Sequence, residues 1–177
     1  MAMVKLQNEG LLKCVVSQNI DGLHRKSGIL PKNLCELHGN TNLETCTRCK
    51  KEYMRDFRVR NAGRCHDHLT GRKCENPKCQ GTLKDSIINF GENLDDKVIN
   101  KGFKNGEKAD LCLAMGSSLT VTPAANIPEE MTEHGRLVIV NLQATPLDYC
   151  AALRINAFCD TVMQMVMQKL ELETPVF

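Results

Sequence analysis

An open parallel α/β sheet interrupted by a small, metal-organised module is the fold class that this sequence predicts, on three observations. Three short apolar strands each run into a polar loop, in CVVSQNID, LCLAMGSSL and RLVIVNLQ. The stretches between them are long enough for the crossovers that parallel neighbours require. Two close pairs of cysteines, Cys46-x-x-Cys49 and Cys74-x-x-x-x-Cys79, fall in a basic segment with little apolar periodicity of its own.

The elements follow in chain order. Residues 3–12 place Val4, Leu6, Leu11 and Leu12 among polar neighbours, a short and weakly amphipathic helix. CVVSQ is a β-branched buried strand, and Asp21-Gly22 after it is a turn signal. After LCELHGN and LETC the composition changes to the cysteine-containing stretch 46–79. DSIINFGE restores an apolar extended segment, and DKVINKGFKNGEKA reads as an irregular helix or loop. DLCLAMGSSL is a buried strand running into a Gly-Ser turn, and RLVIVNLQ repeats the pattern. Asp160 is the expected N-cap of a last helix in which Val162, Met163, Val166, Met167 and Leu170 form one core-facing stripe. Ligands of parallel α/β sheets bind at the carboxyl ends of the strands. The three polar tips SQNID, GSSL and NLQ are therefore expected to gather on one edge as one site.

Composition bounds the class. The chain has 177 residues, 42% hydrophobic and 25% charged, enough for one domain or a domain with a small insertion. No apolar run approaches the ~18–20 residues of a membrane span. The N-terminal stretch lacks the apolar core of a secretory signal, so an intracellular protein is expected. Ten cysteines are then expected to be reduced or metal-bound rather than a disulfide scaffold. The net charge of +2 makes no global case for a polyanionic partner, but residues 48–73 carry nine Lys or Arg against three Asp or Glu.

Two pairs of soft ligands are what a tetrahedral zinc site needs, and Cys46, Cys49, Cys74 and Cys79 are the expected set. With no position left for water, such a zinc is structural. Cys65, His66 and His68 in the same insertion are alternatives for one ligand. Cys14, Cys35, Cys112, Cys150 and Cys159 are expected to be small buried hydrophobes. His38, between Leu37 and Gly39 in CELHGN, taken alone reads as a structural histidine.

The blocks SQNIDGLH, ELHGN, CTRC…CENPKC, IINFGE, GSSL and VIVNLQ, in this order, resemble the sirtuins across nearly the whole chain. The likeness is nearest the subgroup with the vertebrate nuclear and nucleolar members. It implies a Rossmann-like parallel sheet in two segments, residues 1–43 and 86–177, with a zinc-binding module inserted at 44–85. The activity it implies is that of an NAD-dependent protein-lysine deacylase, which transfers the acyl group from lysine to ADP-ribose and releases nicotinamide. His38 would be the general base that takes a proton from a ribose hydroxyl, a task suited to imidazole because its unperturbed pKa lies near neutrality. Asn19 and Asp21 would join it in catalysis, Asn19 by fixing a water.

Gln18, Asn19 and Asp21 would also bind the ribose and nicotinamide of the cofactor. Gly116, Ser117 and Ser118 would lie along it, Asn141 and Gln143 would contact the adenosine ribose, and Cys159 would sit near the adenine. Ile88, Phe90, Gly91 and Glu92 would receive the acylated lysine of a protein such as a histone, the substrate peptide adding as a strand. His24 would have a structural or site-lining role. The implied compartment is the nucleus, with the cytoplasm as the alternative. The family's glycine-rich GAGxS turn and IPDFR segment have no match here. The first β-α unit is therefore expected to be missing, leaving an N-terminally truncated sheet with an unpaired edge, and this chain alone is expected to deacylate weakly. The competing reading is a catalytically inactive zinc scaffold that binds chromatin or RNA through residues 48–73. A plain zinc-ribbon nucleic-acid protein ranks last, because it leaves GSSL and VIVNLQ unexplained.

Overall fold

The computed structural model describes residues 1–60 and 66–176. A short helix, Ala2–Asn8 (α1), leads into Val15–Ser17 (β1), which pairs in parallel with Leu34–Glu36 (β2) in a sheet of two strands. A one-turn helix, Leu23–Ser27 (α2), connects them. The chain then builds an antiparallel sheet from Leu43–Cys46 (β3), Glu52–Met54 (β4), Leu69–Lys73 (β5) and Thr82–Asp85 (β6), in the order β4-β3-β6-β5. Helix Asp96–Gly106 (α3) follows. A second parallel sheet, ordered as written, holds Leu111–Met115 (β7), Arg136–Val140 (β8) and Leu153–Ile155 (β9). Helix Asn126–Glu130 (α4) lies between β7 and β8, and Cys159–Lys169 (α5) closes the chain. The mixed α/β class with parallel sheets and an inserted four-cysteine module is the one expected.

Each parallel sheet has its own core. Leu137 and Ile139 of β8 are buried with Leu119, Met131 and Leu147, as an apolar strand flanked on both sides must be. Cys35, Leu37, Ile99, Ala124 and Ile127 form the core that α3 and α4 make over β2. Gly102 on α3 is part of that fit, since a Cβ there would stand 2.8 Å from the Ile127 side chain.

Several expectations are corrected. The three apolar strands do not share one sheet. Among the described residues β1 pairs only with β2 and β7 only with β8, so each keeps one unpaired edge. Val16 and Leu111 are correspondingly exposed. The segment 96–106 is a regular helix despite two glycines, because the Asp95 carboxylate accepts from the Lys97 and Val98 amides and the helix packs Ile99 into a core. Asp160 is not the cap of α5. Phe158 holds that position, and Asp160 lies in the first turn, where the helix dipole favours a carboxylate. Val162, Met163 and Met167 are buried, but Leu170 falls at the C-cap, past the last helical turn, and is exposed. DSIINFGE continues beyond β6 without regular strand structure. Of the five cysteines expected to be buried, only Cys35 is fully so, the others being half-buried. No helix of the described residues is long and apolar enough to cross a membrane.

Candidate active site and cysteine cluster

The loop after β2 is laid alongside the loop after β1. The Leu37 amide donates to Ser17 O at 2.9 Å, and His38 Nδ1 lies 3.1 Å from Gln18 O. A carbonyl oxygen can only accept, so the neutral imidazole carries its proton on Nδ1 and keeps the Nε2 lone pair for another partner. Gly39 follows with φ +83°, and a Cβ on it would meet Ser86 O at 1.9 Å. Backbone against backbone at that distance admits only glycine. The Ile88 amide donates to His38 O, and the Ser86 hydroxyl exchanges hydrogen bonds with the main chain of Asn40. The His38 turn is thereby fastened to the chain leaving β6. Replacing Gly39 with alanine is expected to cost about 3 kcal/mol or more, read as a lowered urea midpoint at unchanged slope.

His38 lines a cavity of about 970 Å³ together with Gln18, Asn19 and Asp21 from the first strand tip and Ile88, Phe90, Gly91 and Glu92 from the segment after β6. Asp21 Oδ1 accepts from the Leu23 amide across the turn that precedes α2. Glu92 is held well below the usual carboxylate range, first by the Asn89 amide and then by His68 and His66. Phe90 is 93% exposed, an apolar ring with no packing of its own.

The remaining expected cofactor residues do not line this cavity, and Ser117 is the one bonded to a residue that does. Gln18 Nε2 donates to Ser117 Oγ at 3.3 Å, and Asn141 Nδ2 donates to Ser117 O at 2.7 Å. The polar tips of β1, β7 and β8 are thus chained together although their strands lie in two sheets. Gly116 has φ +62°, and a Cβ there would lie 3.6 Å from Cys159 Sγ. The Gln143 amide donates to Asn141 Oδ1, while Ser118 pairs with Thr120. His24 stays in α2, outside the cavity lining.

Cavity residues that the sequence reading passed over include Lys26, Thr41, Asn42, Arg58, Asn89, Val121 and Thr122. Asn42 was findable from the Asn-rich turn HGNTN, whose amides recur as local hydrogen-bonding groups. Its Nδ2 donates to Phe57 O, while the wholly buried Asn40 donates to Glu36. Arg58 and Lys26 carry no periodic signal at all.

The sulfur atoms of Cys46, Cys49, Cys74 and Cys79 lie within 4.8 Å of one another. Cys46 stands 3.6 Å from Cys79 and Cys49 3.6 Å from Cys74. The Cys49 and Arg48 amides bring Cys46 down to about 6 and the Tyr53 hydroxyl lowers Cys74, whereas burial and the neighbouring thiols push Cys49 up to about 11. A Cβ on Gly81 would stand 2.8 Å from Cys46 Sγ, so that glycine keeps the cradle open. Four converging sulfurs with N–H and O–H donors around them fit a structural zinc ion. His66 and His68 are not in this cluster: both face Glu92. Cys65 lies outside the described residues.

Part of the basic surplus of residues 48–73 is ion-paired inside the module. Arg55 and Arg72 each donate through Nε, at 2.8 Å, to one oxygen of Glu44, whose side chain is fully buried. Burial pushes that carboxyl up, but Arg55, Thr70 and Arg72 bring it below its ordinary value. Arg55 also pairs with Glu75, Arg60 faces Asp85, and Arg48 donates to Cys79 O.

The Sir2 family profile matches residues 1–123. NAD-dependent protein deacetylase SRT1 of Arabidopsis thaliana is 43% identical over 178 residues, covering 100% of this chain and 37% of its own. NAD-dependent protein deacetylase sirtuin-7 of Mus musculus is 41% identical over 186 residues, covering 100% of this chain and 46% of its own. The chain therefore spans less than half the length of these curated relatives. Among solved structures, Sir2 with a p53 peptide and NAD+ superimposes with a TM-score of 0.73 at 32% identity, covering 96% of this chain and 68% of that one. A Sir2 homolog–NAD complex gives a TM-score of 0.77 at 28% identity, with 96% and 62% covered.

Proposed function

Because the chain belongs to the Sir2 family, we propose that it carries the acyl-lysine cleft and general base of an NAD-dependent protein-lysine deacylase, together with one side of the dinucleotide site. The observation that supports this most directly is His38, anchored by Gln18 O in a cavity shared with both the first strand tip and the segment 88–92. In this reading His38 accepts a ribose hydroxyl proton at Nε2, while Gln18 O holds the ring through Nδ1. Asn19 and Asp21 orient the ribose and the nicotinamide amide, with Gln18 beside them. Gly116, Ser117 and Ser118 line the cofactor's path, Asn141 and Gln143 its adenosine ribose, and Cys159 its adenine. Bound NAD would supply the ribose carbon that receives the acyl oxygen and nicotinamide as leaving group. Ile88, Phe90, Gly91 and Glu92 receive the extended acyl-peptide, the exposed Phe90 ring supplying apolar area to the lysine's aliphatic stem.

Cys46, Cys49, Cys74 and Cys79 would hold one zinc ion that organises residues 44–85. Residues 1–43 and 86–177 form the two segments of the Rossmann-like part. We assign acylated lysines of proteins such as histones as substrates and the nucleus as compartment, on the subgroup likeness. The alternative of a nucleic-acid scaffold is disfavoured by the arginines already committed to Glu44, Glu75 and Asp85.

The test is binding of a fluorescently labelled acetyl-lysine peptide by anisotropy, with and without NAD. Preference for the acetylated over the unacetylated peptide, sharpened by NAD, is the expected result. Equal binding of the two peptides, or binding of neither, overturns the reading.

A further inference from the structure

Outside the groups used above, the most densely bonded titratable side chains bridge the cysteine module and the cleft. Glu92 Oε1 lies 2.8 Å from His66 Nδ1 and 2.8 Å from His68 Nε2. The other nitrogen of His68, Nδ1, is 2.9 Å from Asp85 Oδ1. Asp85 has a side chain only 1% exposed, and among the described residues its Oδ2 has no hydrogen-bond partner and faces Arg60 Nε at 3.7 Å. Carboxylates at these distances only accept. A neutral imidazole has one N–H and would aim a lone pair at one of the two acids, whereas an imidazolium donates to both.

Glu92 in turn closes the cleft segment on itself. Its Oε2 accepts from the Asn89 amide at 2.7 Å and from Asn89 Nδ2 at 3.0 Å, and Arg60 Nη1 donates to Asn89 Oδ1 at 2.9 Å. Between Asn89 and Glu92 stand the exposed Phe90 and Gly91, which has φ +86° and nothing within 4 Å of its Cβ position. Among the described residues, the segment 89–92 is held by the Glu92 carboxylate together with the Glu92 amide, which donates to Asn89 O at 3.1 Å.

We propose that His68, protonated on both nitrogens and clamped between Asp85 and Glu92, is a positioning residue that ties the acyl-peptide segment to the zinc module and makes its order depend on pH. This rests on the reading of residues 88–92 as the peptide segment. Among the described residues, the groups facing His68 are Asp85 from β6 and Glu92 from the cleft, with His66 on the same Glu92 oxygen and Arg60 beside the far Asp85 oxygen. Asp85 first, and then Glu92, raise His68 above the ordinary imidazole value of 6.5. The sign follows: the clamp is complete below that ordinary value and is lost as pH rises through the raised one.

The experiment follows the His68 ring by NMR and the Asn89 amide by hydrogen exchange across pH 6 to 9, on the full chain and on His68→Gln and Glu92→Gln. In the unsubstituted chain, Asn89 protection, corrected for intrinsic exchange, should fall as His68 deprotonates. In His68→Gln it should be low and flat with pH, and in Glu92→Gln the His68 titration should move down toward its ordinary value. Acetyl-lysine peptide affinity should drop about tenfold in His68→Gln, the size expected for one charge-assisted bond. Protection of Leu83 in β6 serves as the control for an intact module. A His68 that titrates at or below the ordinary value, or an Asn89 protection profile unchanged in both variants, overturns the proposal. Failure of the unsubstituted chain to bind peptide counts against the cleft assignment alone, and the exchange data still decide the clamp.

Discussion

Replacing Cys74 with serine is expected to unfold the sheet β3 to β6 and release its metal. The buried cluster of this module consists of Cys46, Tyr53, Cys74, Cys79 and Leu83, so thiols make up most of it. Tyr53 and Leu83, even with the buried Leu43 and Val59, are few large apolar side chains to set against the chain entropy of four strands. Metal coordination at the four sulfurs would supply the balance, with apparent values of about 10–16 kcal/mol typical of small zinc domains. Cys74 is the sharpest place to cut, because its sulfur also meets the Tyr53 hydroxyl at 3.1 Å. Metal content should fall from about one ion per chain, and amide protection in residues 43–46 and 82–85 should collapse. Chelation of the unsubstituted protein should do the same. The damage should spread to the cleft, since Phe57 O and Ser86 hold Asn42 and Asn40 beside His38. Full protection in a metal-free Cys74→Ser chain would contradict this account.

The second large effect is chemical. His38→Ala should lower formation of deacylated peptide by about 10²- to 10⁴-fold, the usual contribution of a positioned general base. Peptide affinity should stay within about twofold, because the anchoring segments belong to other residues. The imidazole is prepared for this task by geometry: the bond to Gln18 O fixes which nitrogen is free. A variant within threefold of the parent rate would remove His38 from the reaction and leave the cavity as a binding cleft.

Much of this was legible in the sequence, for reasons that differ by feature. Cysteine spacing is a local property that survives folding, so Cys46, Cys49, Cys74 and Cys79 were found as a set. Apolar runs marked β1, β7 and β8 because parallel strands carry no alternating polar face to confuse the pattern, although only β8 is buried along most of its length. What those runs could not reveal is which edges pair. The split into two sheets, and the three-residue strands β2 and β9, are too short or too non-local for periodicity. Charge counting was blind to pairing. A surplus tallied over residues 48–73 leaves out Glu44, Glu75 and Asp85, the acids that face Arg55, Arg60 and Arg72 from just outside that window, although the module as a whole keeps more Lys and Arg than Asp and Glu. Asp160 and Leu170 were misplaced because helix ends shift by a residue or two with the geometry of the cap.

The bare contact between Gly39 and Ser86 sets a rule for anyone wishing to graft a different cysteine module onto this scaffold. The two main chains touch with no side chain as cushion, so the height at which the insert returns its chain is transmitted straight to the neighbouring imidazole. A transplant that keeps all four sulfur ligands but delivers residue 86 about 1 Å too high would assemble, bind its ion and still misalign the base, a displacement that commonly costs about a hundredfold in rate.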